Sequence, residues 1–203
     1  KLNNMINDFL ANTDAKDENE LNEKLQEFIK KYNAGEIDYE NTILDEAYEL
    51  LEKAENTKSK TRAIKYAKEA YETCPDCFDA ILFQVHLEDN PLKRWKLLDE
   101  GLEFEKDRLE DEGYFEKDNV GHFYGIFETR PYIRGLYAKA DYLILDGKIK
   151  QARDVCKEIL RLNENDNTGA RYLLMAIYAY FEEENDMLKL YKKYPEENLE
   201  KYK

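Results

Sequence analysis

The stretch that decides the fold is Leu44–Pro75, LDEAYELLEKAENTKSKTRAIKYAKEAYETCP. Ala47, Leu50, Leu51 and Ala54 recur at three- and four-residue steps, and so do Ala63, Ile64, Ala67, Ala70 and Tyr71. That spacing puts each set on one face of an α-helix. The polar segment NTKSK between the two stripes is short, as expected for a turn between antiparallel helices. The same period continues along the chain. Leu92, Trp95, Leu98 and Leu102 form a stripe opened by Asn90 as N-cap and Pro91 at the first helical position. Leu136, Ala140, Leu143 and Ile144 end near Gly147, and Ala152, Val155, Cys156, Ile159 and Leu160 follow. Leu173, Leu174, Ile177 and Phe181 close the series. No stretch alternates as a strand, so the expected class is all-α.

Composition narrows the choice further. The 203 residues carry 31 Lys+Arg against 45 Asp+Glu, a net charge of −14. Such a surface repels phosphates, which argues against nucleic acid and against an anionic membrane as partner. Eight glycines and four prolines are too few for a many-stranded sandwich or barrel. No apolar run approaches the ~18 residues that a membrane-crossing helix needs. The opening residues KLNNMINDFL lack the layout of a secretory signal. Three cysteines, Cys74, Cys77 and Cys156, do not make a disulfide framework, so a cytoplasmic protein is expected. The chain opens on Lys1 rather than Met, which reads as a trimmed or partial chain.

Helix pairs at this spacing call for a repeat test. A tetratricopeptide unit is a helix-turn-helix of about 34 residues, with small or apolar residues at fixed positions. A unit begun at Leu44 places Ala47, Leu50, Leu51, Ala54, Ala63, Ala67, Ala70 and Pro75 at those positions. A unit begun at Ile133 places Leu136, Ala140, Leu143, Ala152, Cys156 and Ile159 there, with Lys139 and Glu164 departing. Small residues such as Ala63, Ala140 and Ala152 let the paired helices approach closely. The expected fold is a right-handed α-α superhelix of about four such units over residues 41–203. A degenerate second unit starts at Phe78, an insertion lies near 105–130, and a fourth unit starts near Asn167. Residues 1–40 are expected as an N-terminal helical cap with Leu21, Leu25 and Phe28 on its buried face. The whole is expected as one folded domain.

Gly121-His122-Phe123-Tyr124, Glu128 to Arg134 and Asn165-Asp166-Asn167, with Gly169, Arg171 and Tyr172, carry a family likeness. They resemble bacterial tetratricopeptide-repeat proteins, in particular the suppressor-of-tumorigenicity-7-like repeat family. The resemblance covers about residues 121–190 and implies a repeat protein that mediates interactions. Gly135 stands where that pattern has Ala, and Glu164 where it has Pro.

Candidate chemistry is thin. Cys74-Pro75-Asp76-Cys77 has C-x-x-C spacing, but no strand precedes it and no second pair completes a zinc site, so it reads as a turn. His86 and His122 form no metal motif. No phosphate loop or serine nucleophile motif occurs, so no catalytic residue, cofactor or metal is assigned. DRLEDEG, Asp107 to Gly113, reads as a solvated face. His122, Tyr124, Glu128, Arg130, Tyr132 and Arg134 crowd polar and aromatic groups together. They read as a recognition corner or as a structural knot in which Glu128 pairs with an arginine. By analogy with tetratricopeptide grooves, the concave side would carry Arg134, Tyr137, Asp141 and Ile144, then Thr168, Arg171, Met175 and Tyr178. An acidic half with Asp45, Glu52 and Asp79 would precede them. The expected function is a scaffold binding a protein or peptide in this groove, as a monomer or weak homodimer. The alternative is an enzyme, or enzyme subunit, with a small-molecule site around Glu128, Arg130 and Arg134.

Overall fold

The computed structural model describes residues 5–6, 9–10, 12–37 and 41–194. The expected boundary at residue 40 and the end of the expected fourth unit, 195–203, lie outside them. Among the described residues the chain is all-helical, with nine α-helices and no strand. None of them is long and apolar enough to cross a membrane. Internal contacts divide the chain into two compact units, Lys1–Cys77 and Phe78–Lys203.

The first unit holds α1 (Glu18–Asn33), α2 (Ile43–Asn56) and α3 (Lys60–Thr73). Each starts where a side chain can satisfy the orphan amides of the first turn. Asp17 accepts from the Glu20 amide at 2.9 Å. Thr42 and Asp45 form a reciprocal capping box at α2, and Ser59 caps α3. Leu21, Leu25 and Phe28 of α1 are half-buried rather than fully covered. The α2–α3 hairpin closes on small side chains: Ala47, Ala54, Ala63, Ala67 and Ala70 are buried, with Leu51 between them. Asp45, expected along an acidic groove, is buried instead and serves the cap. Cys74 and Cys77 are buried at the turn after α3, where the Cys77 amide donates to the Cys74 carbonyl at 3.0 Å.

The second unit holds α4 (Phe78–Leu87), α5 (Pro91–Asp111), α6 (Arg130–Leu145), α7 (Ile149–Leu162), α8 (Ala170–Tyr180) and α9 (Glu184–Lys193). Consecutive helices pack against one another, and α4 also packs against α6. The key to that three-helix junction is Phe78. An added Cβ at Gly101 of α5 would stand 2.9 Å from the Phe78 ring, and one at Gly135 of α6 only 2.6 Å from it. Glycine at position 135 is therefore a packing requirement, although it costs about 1 kcal/mol of helix propensity against Ala. Leu82, Val85, Leu98, Leu102, Ile133 and Leu136 fill the space around the ring. Lys139 has a local reason too: its ammonium pairs with Asp99 of α5 at 2.7 Å.

Residues 105–111, in the stretch expected to hold an insertion, are the last two turns of α5, so DRLED is helical. It is also not a purely solvated face, because Leu109 is fully buried. Glu105 is buried beside it and takes both arms of Arg108, at 2.8 and 3.0 Å. Arg108 reaches on to Glu112 at 2.9 Å. Burial pushes the Glu105 carboxyl above the usual glutamate range, against the pull of Arg108. The remaining loop folds over Phe115, whose ring meets Phe123 at 5.0 Å and Tyr132 at 5.9 Å, both edge-on. Thr129 donates to the Phe123 carbonyl. Gly121, at φ +102°, stitches the loop to the end of α7. Its amide donates to the Leu162 carbonyl at 3.1 Å, and its carbonyl accepts from the Glu164 amide at 2.8 Å.

Two measurements follow from this packing. Ala152→Leu and Gly101→Ala each overfill a site with no room for extra methyl groups, and each should lower unfolding stability by about 1–3 kcal/mol in urea titration. The raised carboxyl of Glu105 binds its proton more readily in the folded than in the unfolded chain. Its contribution is full below the ordinary glutamate pKa and is lost as pH rises through the raised value. Glu105→Gln, which keeps an acceptor for Arg108, should flatten that part of the stability–pH profile.

Candidate functional site

The turn between α7 and α8 is built around one buried carboxylate. Asp166 sits at φ +49°, a left-handed conformation that aspartate tolerates better than most residues. From there it accepts from the amides of Ala170 at 2.7 Å and Arg171 at 3.1 Å. Those are the orphan donors at the start of α8, so Asp166 caps the helix from four residues upstream. Gly169, at φ +75°, reverses the chain immediately before the helix. The Arg171 side chain folds back and pairs with Asp166 at 3.2 Å. It also donates to the Tyr172 hydroxyl at 2.8 Å and lies over the rings of Tyr172 and Tyr194, 4.5 and 4.8 Å from their centroids. Tyr194 closes the knot by donating to the Glu164 carbonyl at 2.9 Å. Burial lifts the Asp166 carboxyl above the usual aspartate range, against the two backbone donors and the Arg171 charge.

Beside this knot opens a pocket of about 800 Å³. Its walls are formed by Tyr137 of α6, by the 165–169 turn, and by Arg171, Tyr172, Leu173 and Ala176 of α8. The lining combines two tyrosines, an apolar strip, two asparagine amides and a threonine hydroxyl. It can bury a side chain and hydrogen-bond a peptide backbone at once.

The expected site residues are distributed as follows. Tyr137 and Arg171 do meet at one pocket, together with Thr168. Arg171, however, is only 3% exposed and is committed to Asp166, so it supports the wall rather than projecting from it. Arg134 makes a two-armed ion pair with Asp79 of α4, which ties α6 to α4. Asp141 is exposed one turn beyond Tyr137, Met175 is half-buried and Tyr178 is buried. His122 and Glu128 are exposed, while Tyr124 and Arg130 are half-buried. Arg130 donates to the Tyr124 carbonyl at 2.7 Å and stacks on Phe127 at 3.9 Å. It thus holds the loop through a carbonyl and a ring, instead of the ion pair with Glu128 expected of a structural knot. Asn165, Asp166, Asn167, Tyr172, Leu173 and Ala176 were not among the expected site residues. The turn-forming run Asn165-Asp166-Asn167 ahead of Gly169 was the available signal. The chain matches no protein-family model, no curated protein and no solved structure.

Removing the Asp166 carboxylate strands a buried guanidinium and uncaps α8. Asp166→Ala should cost about 3–5 kcal/mol in urea unfolding, well above an ordinary cap loss.

Proposed function

We propose that the chain is a binding module that captures a protein or peptide segment along one face of stacked tetratricopeptide-like helix pairs. The observation that carries this reading is the meeting of Tyr137 and Arg171 at one pocket. They are 34 positions apart, and 34 residues is the length of a tetratricopeptide unit. Equivalent positions of successive units line a common groove in such a stack. The pairing of α4 with α5, α6 with α7 and α8 with α9 supports the same arrangement. So does the complete burial of Ala140 and Ala152 at the close-approach positions. The likeness to suppressor-of-tumorigenicity-7-like repeats of bacteria belongs to this proposal, as do a cytoplasmic setting and a monomer or weak homodimer.

The pocket's lining suits an extended segment that inserts one side chain between Tyr137 and Tyr172. Asn165 and Asn167 are then placed to hydrogen-bond its backbone. An enzymatic site around Glu128, Arg130 and Arg134 draws no comparable support, since Arg130 and Arg134 are engaged in holding the loop and α4.

The partner captured from a native lysate can be identified by mass spectrometry and its affinity measured by calorimetry. Tyr137→Ala with Tyr172→Ala should weaken that affinity about 30-fold, as loss of a hot spot worth about 2 kcal/mol does. The helical circular dichroism should be unchanged. A folded double variant with wild-type affinity would overturn the assignment of this pocket.

A further inference from the structure

Resting on the groove reading, we infer that the pocket takes a Lys or Arg side chain from an extended peptide, its stem against Tyr137, Leu173 and Ala176 and its charge toward Asp141. Three observations converge on a cationic occupant. First, the seat for an anion is already filled. The amides at the start of α8 are taken by Asp166, and the Arg171 guanidinium lies on that same carboxylate. An incoming carboxylate or phosphate would have to displace a buried ion pair, which costs more than it returns.

Second, the exposed group one turn beyond the pocket's Tyr137 is acidic. Asp141 lies four residues beyond Tyr137 on α6, so both project from one helix face. Its carboxyl is raised by partial burial, with His86 pulling the other way. The Tyr137 hydroxyl is likewise raised, by burial first and then by Asp141, Cys156 and Asp166, all acidic groups. Third, the walls fit a long basic side chain. Its methylenes can lie along Leu173 and Ala176, while tyrosine faces attract the cation itself. A net charge of −14 would draw such a segment in from a distance.

The test is a positional-scanning library of N-acetylated, C-amidated decapeptides, selected on the immobilised full chain at near-physiological salt. Parallel selections use Tyr137→Ala/Tyr172→Ala and Asp141→Asn, each first checked for folding by circular dichroism. The inference expects Lys or Arg to be enriched at one position. It also expects that enrichment to vanish in the tyrosine variant, and the selected peptide to bind Asp141→Asn about tenfold more weakly. Enrichment of apolar or acidic residues at that position would overturn the basic-side-chain inference and leave the groove reading standing. A Lys or Arg preference that persists in the tyrosine variant would be surface attraction only and would equally overturn it. No enrichment on the wild-type chain over the tyrosine variant would overturn both.

Discussion

The ring of Phe78 lies where two helices have given up their side chains. Gly101 on α5 and Gly135 on α6 leave a slot for it, and a methyl group on either would fall inside van der Waals contact. Close-packed interiors do not deform continuously, so this slot fixes the distance and rotation of α4, α5 and α6 together. The Arg134–Asp79 ion pair, one residue away in sequence at each end, adds a polar tie between α6 and α4. Tyr137 follows Gly135 by two positions on α6. The orientation of the first wall of the pocket is therefore inherited from the way Phe78 is held.

The second wall depends on a buried charge pair. A carboxylate inside a protein is tolerable only when most of its acceptor capacity is used. Asp166 meets that condition with two backbone amides and the Arg171 guanidinium. The cost of its left-handed backbone is offset by the same contacts. Because Arg171 is then stacked on Tyr172, the pair also orients the tyrosine that lines the pocket. The loop ahead of α6 contributes from outside, since Gly121 bonds through both backbone groups to the 162–164 segment that begins this turn. Neither wall is self-standing, and the junction at Phe78 and the knot at Asp166 together define the space between them.

The helical class was legible because three- and four-residue apolar spacing recurs from Leu44 to Phe181, and the N-cap expected at Asn90 opens α5. The caps at Thr42 and Ser59 come from the structure. The alanines at 47, 54, 63, 67, 70, 140 and 152, each part of an apolar stripe or of the small-residue set, are all buried. The end of α5 was not legible. DRLED looks solvated in composition, yet Leu109 and the Glu105–Arg108 pair face inward. Charge in a sequence does not reveal whether a partner will permit burial. Gly135 looked like a weak helix residue, because its reason lies on Phe78, 57 positions away. Arg171 looked like an exposed anchor for a similar reason. Its fate is set by a left-handed aspartate five residues earlier, and that conformation cannot be read from the residue type.

The coupling between Phe78 and Gly135 is measured most directly by a double-mutant cycle in urea unfolding, with Gly135→Ala, Phe78→Leu and the two together. If the ring occupies the space that a Cβ at 135 would need, Gly135→Ala is destabilising in the wild-type background. It becomes much less destabilising once the ring is replaced by leucine, the remaining cost coming from Leu102, whose side chain would stand 2.9 Å from the added Cβ. The expected coupling energy is about 1–3 kcal/mol. Additivity within about 0.5 kcal/mol would contradict it, because the two positions would then not share the slot on which the second unit is built.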